Sequence, residues 1–406
     1  MKNIFLYGTL AFPIAIMGLP LYIYLPNFYS TTISVGLVGL VLFVARIIDM
    51  ALDPFTGRLS DLLPNRMILI FIGCFCLLFG FFGLVNPAEN HEVAWLFIFS
   101  IFTYTGWSIL NISYFALGSD LGKSYQENNY FAFSREVFTI FGVIFALLVP
   151  YIYSVSQNSE ESLQLYLNYI FIVLPIVFIL FWLCLKEPKR KTKIIPFASS
   201  LKAFFISFKE SKYLFIGFIL NSTANALPAT LFLFFVDLVL QTPEKSGLLL
   251  IVYFASGVLA LPIWLFLSSK ISKLKVWIIS MVLACITFAF VPFVGSGDFI
   301  LFLIICVITG MSLGADMALP SSIQADISQD ISRNENELSG VLFGIWAMIT
   351  KLSLALGVGI SFIALELCNF DTVNPEPNSL GILIFLYSVL PIILKISAIL
   401  FLRKFK

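Results

Sequence analysis

The chain has 406 residues, 60% of them hydrophobic and 12% charged, with 44 Phe. So little charge excludes a soluble globule of this size and leaves a polytopic membrane protein. Lys+Arg 24 against Asp+Glu 23 gives a net charge of +1, which offers no field to a polyanion and excludes nucleic acid as a main partner.

Runs of about 20 mainly apolar residues, the length that crosses a bilayer, predict twelve spans. In chain order they are Ile4 to Pro26, Ile33 to Leu59, Met67 to Leu84, Val93 to Leu117, Arg135 to Tyr153, Leu165 to Leu185, Tyr213 to Leu240, Ser246 to Leu267, Val276 to Val294, Phe299 to Ile323, Leu338 to Ala364 and Leu380 to Leu402. The apolar run from Ile4 is too long for a cleaved signal, so the first span is expected to be retained. The longest polar break, Lys186 to Lys212, divides the spans six and six. This predicts an N-terminal bundle over 1–186, a cytoplasmic linker over 187–212 with a surface-lying stretch at Leu201 to Phe208, and a C-terminal bundle over 213–406. Lys2, Arg58, Arg66, Lys123, the Lys189 to Lys193 cluster, Lys270, Lys273, Lys275 and Arg403 fall in the termini or even-numbered connections. By the positive-inside rule both termini are cytoplasmic.

Ionisable side chains inside apolar spans are costly and mark function by default. Arg46, Asp49 and Asp53 stand at i, i+3 and i+7 of the second span, on one helical face. Two acids a turn apart can hold a Na⁺ or share a proton, and Arg46 can gate or neutralise them; the alternative is an Arg46–Asp49 pair that only locks helices together. The second span has a weak counterpart in the eighth. Registering Pro54 on Pro262 sets Asp49 against Gly257 and Asp53 against Leu261, so acids stand only in the first copy. Ser108 and Asn111, three apart in the fourth span, offer oxygen ligands or helix-to-helix hydrogen bonds, with Phe115 a turn further on. Lys351 lies deep in the eleventh span beside Trp346 and fits an anionic or hydroxyl-bearing solute, or a partner acid. Asp316, in Gly314-Ala-Asp-Met-Ala-Leu-Pro320, suggests a helix broken at its carboxylate, whereas Lys395 suggests a peripheral pair. Asp237 and Glu366 suit interfacial positions.

The six cysteines fall almost wholly in apolar runs and the single histidine, His91, in a polar connection. Neither a disulfide framework, a zinc site nor His-based catalysis is expected. No catalytic motif is apparent, so the chain is read as a transporter and not an enzyme, without a cofactor or any metal beyond a coupling Na⁺.

Val44-Ala-Arg-Ile-Ile-Asp-Met-Ala-Leu-Asp-Pro-Phe-Thr-Gly57 resembles the signature of the glycoside-pentoside-hexuronide:cation symporters, the melibiose-carrier branch of the major facilitator superfamily. The resemblance continues in Ala116-Leu-Gly-Ser-Asp-Leu121, Tyr130-Phe-Ala-Phe-Ser-Arg-Glu136, Asn221-Ser-Thr-Ala-Asn225 and Gly344-Ile-Trp-Ala-Met-Ile-Thr-Lys351, and Gly57-Arg-Leu-Ser-Asp61 with Arg66 looks like the superfamily's loop motif. It implies an all-α fold of two six-helix bundles working by alternating access in a bacterial inner membrane. Asp49, Asp53 and Ser108 match cation ligands, with Asn111 a further candidate. Arg135 and Lys351 match basic residues of the sugar and coupling site, Asn111 and Phe115 fall at sugar-gripping positions, and Trp346 and Asn221 are assigned to the same solute site. Arg46, Asp61, Arg66, Asp120 and Asp316 are assigned to gating or coupling. Three departures, Ala15 and Asn111 where the family has Asp and Leu52 where it has Asn, argue against a galactoside and toward a proton. Arg135 and Lys351, short of acid partners, then favour a solute carrying a carboxylate, sulfonate or phosphate. The expected activity is Na⁺- or H⁺-coupled symport of a sugar or sugar-like polar or anionic solute by a monomer. The alternatives are a lysolipid or amphiphile transporter and a non-transporting membrane sensor.

Overall fold

A computed structural model describes the backbone of residues 2–18, 20–29, 31–122, 124–153, 159–188, 197–335, 339–368 and 377–405. The expected basic cluster at Lys189 to Lys193 lies outside the described residues. Among the described residues there is no strand. Ten helical segments among them are long and apolar enough to cross a membrane, from Arg66–Val85 to Leu380–Leu402.

The remaining two predicted spans take different forms. The first is a chain of short pieces: α1 (Lys2–Thr9), α2 (Ala11–Ile16), a wider π-type segment Pro20–Tyr24, and α3 (Leu25–Tyr29). The predicted span Ile4 to Pro26 is therefore not one continuous helix. Pro13 cannot donate to the Thr9 carbonyl, and Pro20 and Pro26 repeat the interruption. The second is α4 (Val35–Leu62), 28 residues and continuous through Pro54. Its carboxylates and arginines lower its hydropathy, yet at 1.5 Å per residue it extends roughly 42 Å, beyond the ~30 Å hydrocarbon core.

Then follow α5 (Arg66–Val85), α6 (Glu92–Leu121), α7 (Tyr125–Ile152), α8 (Ser159–Cys184), α9 (Phe197–Phe234), α10 (Ser246–Lys270), α11 (Lys273–Phe288), α12 (Phe299–Glu335), α13 (Ser339–Leu367), α14 (Pro377–Ile384) and α15 (Leu390–Leu402). The stretch Leu201 to Phe208 belongs to the beginning of α9, which runs without a break into the seventh span. Likewise α12 passes through Pro320 unbroken, so the predicted broken helix at Asp316 is absent. Neighbouring helices in a bundle re-satisfy the carbonyl that a proline frees.

The chain forms two compact units, residues 1–204 with 324–348, and residues 205–323 with 349–406. In the first, Tyr7, Leu77, Phe81, Leu110, Tyr114, Tyr166 and Phe181 form the buried apolar centre. Glycines seal α5 against α6: a Cβ at Gly73 would stand 2.6 Å from Leu110 N, and one at Gly106 would stand 2.6 Å from Leu77 N. Both obstacles are backbone and cannot swing away. Gly106→Val should therefore part the two helices and cost about 1–3 kcal/mol or more, read as a lower unfolding midpoint in detergent; an unchanged midpoint would mean the seam is not tight. In the second unit, Phe235 stacks on Tyr387 at 4.2 Å and on Phe302 at 5.2 Å. On the outside of α5, Phe71, Phe75, Phe79 and Phe82 are all exposed, an apolar stripe that suits lipid and not water.

Candidate functional site

Asp49 of α4 faces α6. Asp49 and Asp53 are 1% and 0% exposed, and the Ser108 hydroxyl donates to Asp49 Oδ1 at 2.6 Å. Arg46 lies 3.7 Å from Asp49 Oδ2, with its guanidinium 3.8 Å above the Tyr104 ring. The i, i+3, i+7 face of α4 thus gathers one cation and two acids against a hydroxyl from the next-but-one helix. This gives a compact group of oxygen donors with charge −1 if both acids are ionised. Asn111 is half-buried and its amide donates to Trp107 O, one turn back on α6, at 3.0 Å. The start of α13 packs against the α4 backbone at this level, since a Cβ on Gly344 would meet the Asp53 main-chain carbonyl.

A second group is centred on α7. Arg135 donates from Nε and Nη2 to Glu136 Oε1 at 2.9 and 2.6 Å, and its guanidinium lies 3.8 Å over the Phe115 ring. Arg135 and Phe115, both read as solute-binding, are therefore neighbours. The expectation that Arg135 is short of an acid is corrected: Glu136, the next residue, neutralises it. Tyr7 and Tyr114 stack at 4.4 Å beside this pair, each hydroxyl donating to the other's backbone carbonyl.

The loop-motif residues form a third group. Arg66, fully buried, donates to Asp120 Oδ2 at 2.7 Å, to Asp61 Oδ1 at 2.9 Å and to Ser60 Oγ at 2.5 Å. Asp61 also accepts from the backbone N–H groups of Gly340 and Val341 at 2.7 and 2.8 Å, the free N–H groups of the first turn of α13. Asp61 lies past the predicted end of the second span. Burial pushes its carboxyl up, opposed by Arg66 and by those two N–H groups.

The second unit holds a polar cluster that sequence reasoning missed. Asp316 accepts four hydrogen bonds: from Trp277 Nε1 at 2.8 Å, Asn221 Nδ2 at 3.0 Å, Asn225 Nδ2 at 2.9 Å and Lys395 Nζ at 3.1 Å. Lys395 also donates to Asn221 Oδ1 at 2.7 Å. Lys395 is 4% exposed, so the peripheral position expected for it is corrected. The available signal was two opposite charges in apolar spans of the same half. Asn221, read as solute-binding, is held inside this cluster. Lys351 is half-buried in the second unit, and Trp346 is buried in the first.

Among solved structures, the fucose:proton symporter of E. coli superimposes with a TM-score of 0.75 at 15% identity, covering 100% of this chain and 99% of that one. A bacterial homologue of the iron transporter ferroportin does so at 0.74 and 12% identity, covering 100% and 98%. At such identities the likeness shows the major facilitator fold, as the sequence predicted. Among curated proteins, the uncharacterised symporter YnaJ of Bacillus subtilis is 23% identical over 93% of this chain and 85% of its own length. The sodium-dependent lysophosphatidylcholine symporter 1 of Homo sapiens is 24% identical over 39% of this chain. That match spans only 30% of the human relative's length. Finally, the family model described as MFS/sugar transport protein matches residues 6–406. A multi-pass helical chain matched across nearly its whole length therefore belongs to the MFS/sugar transport protein family.

Proposed function

We propose that this transporter is a cation-coupled symporter of the melibiose-carrier type, in which Asp49 and Asp53 bind Na⁺ or H⁺ and Arg135, Phe115 and Lys351 bind the solute. The observation that carries the reading is the buried Asp49–Ser108 contact with Asp53 one turn along α4. Carboxylate and hydroxyl oxygens suit a hard cation, and a bound cation or proton removes the repulsion between the acids. Coupling is then the reciprocal free energy between cation and solute sites in an alternating-access cycle. The solute is a sugar or a sugar-like small polar or anionic molecule, carried by a monomer in a bacterial inner membrane with both termini cytoplasmic.

Thermal unfolding in Na⁺ or K⁺ at two pH values tests the cation site, because a ligand that binds only the folded state stabilises it, by about 2.7 kcal/mol at one hundred times its Kd. A higher midpoint in Na⁺ that Asp53→Asn abolishes supports sodium coupling. A pH effect without a sodium effect, also lost in Asp53→Asn, supports a proton. Independence of both ions overturns the coupling role and turns attention to a sensor.

The second reading is a lysolipid carrier. Its support is the match to the lysophosphatidylcholine symporters of Homo sapiens and of Danio rerio, the latter 20% identical over 82% of this chain. Under that reading, lysophosphatidylcholine raises the midpoint more than sugar acids do.

A further inference from the structure

We propose that Glu136 is a proton-binding site of the transport cycle, protonated when an anionic group of the solute takes over Arg135. The inference builds on the reading of Arg135 as a solute-binding residue. It adds a proton site separate from the acids of α4, on a residue that neither the sequence reading nor that function employs.

The geometry of the pair carries the argument. Arg135 and Glu136 are each 5% exposed. Successive residues on a helix point about 100° apart, so the arginine must fold back along α7 to reach its neighbour. It arrives on one oxygen: both Nε and Nη2 donate to Oε1. A guanidinium binds a carboxylate or phosphate best through two parallel bonds to two oxygens. An incoming carboxylate, sulfonate or phosphate offers that arrangement, and Glu136 in this position does not. The guanidinium is meanwhile steadied over Phe115, a half-buried ring already read as part of the solute site.

Once Arg135 turns to the solute, Glu136 has little else to compensate its charge. Among the described residues, both hydrogen bonds it accepts come from Arg135, which is also the cation acting on it. The other titratable groups around it are Tyr7 of α1 and Tyr114 of α6. Both phenol hydrogens are used on backbone carbonyls. The sequence of α2, which packs on α7, contains no ionisable residue. A buried carboxylate that loses its cation neutralises by taking up a proton. The step balances simply: an O–H bond forms on the Glu136 carboxylate with a proton drawn from water, and it breaks again, returning the proton to water, when the solute leaves and Arg135 swings back. One proton then accompanies each anionic group.

The first test needs no solute, because Arg135→Gln imitates the loss of the cation. In the full-length protein its unfolding midpoint should fall below wild type several-fold more at mildly alkaline than at mildly acid pH, since a protonated Glu136 is tolerated and an ionised one is not. Stability is thus present in acid and lost as the pH rises. Arg135→Gln with Glu136→Gln should lose that pH difference. An equal fall of Arg135→Gln at both pH values overturns the proposal. Where Arg135→Gln does not fold, proton movement decides. Wild-type proteoliposomes are given glucuronate in one arm and lysophosphatidylcholine in the other, and the external pH is followed with a dye. Alkalinisation that Glu136→Gln lacks supports the proposal, and the responding arm identifies a sugar acid or a lipid headgroup as the source of the anion. Entry of a probe with no Glu136-dependent proton overturns the proposal while leaving an anionic solute in place. Entry of neither probe overturns the anionic-solute reading and this coupling with it.

Discussion

Lys395→Met should be among the most destabilising single substitutions in the second unit, with a loss of about 3 to 5 kcal/mol. The reason lies in what it leaves behind. Asp316 would keep the amides of Asn221 and Asn225 and the Trp277 indole, but among the described residues its one paired cation is Lys395, and a carboxylate buried in an apolar bundle is far costlier than a neutral pair. Asn221 Oδ1 would lose the 2.7 Å bond from the ammonium at the same time. The decisive comparison is Lys395→Met with Asp316→Asn. The new amide oxygen still accepts from Trp277 and Asn221, while no charge remains, so most of the loss should be recovered. A midpoint for Lys395→Met equal to wild type, or a double variant as unstable as the single, would show that the charge is not what matters. The thermal midpoint of protein purified in detergent is a sufficient readout.

Arg66→Met should have a comparable effect in the first unit, again about 3 to 5 kcal/mol. Arg66 serves two carboxylates, Asp61 and Asp120, and a serine hydroxyl, with no exposed surface. The two acids will not suffer equally. Asp61 retains the Gly340 and Val341 N–H groups, whereas Asp120 retains a longer contact of 3.3 Å from Ser339. Adding Asp120→Asn to Arg66→Met should therefore restore more stability than adding Asp61→Asn. The reverse order would mean that the α13 N–H groups contribute little to holding Asp61.

What could be read from the sequence followed from periodicity and length. The α4 acids fall on one face because i, i+3 and i+7 do so in any α-helix, and the structure buries Asp49 and Asp53 where that spacing sets them. Ser108 reaches Asp49 across 59 positions; its hydroxyl in an apolar span offered an oxygen ligand, and the family resemblance then assigned it to the same cation site. The breaks in the first span were not legible in a hydropathy reading, which weighs Pro13 and Pro20 by their apolar rings and ignores the missing N–H. Pro320 was misjudged in the opposite direction, since packing against neighbours lets a helix continue through it. The Asp316–Lys395 pair was missed because each residue was weighed alone, although the two opposite charges stand in apolar spans of the same half; which helices bring them together is a property of the bundle, not of either span. Glu136 was hidden in plain view within a quoted motif, as adjacent residues on a helix are expected to point apart and not to meet.

The Asp316 cluster also has a history in the order of synthesis. Its carboxylate is translated 79 residues before the lysine that neutralises it, and α9 and α11, which supply the amides and the indole, precede both α12 and α15. If the helices enter the membrane in chain order, α12 does so with its acid facing neutral donors alone, and the last helix then completes the half by delivering the countercharge. A chain arrested before α15 would expose an unneutralised acid within its bundle, a mark by which membrane quality control can tell an unfinished transporter from a finished one.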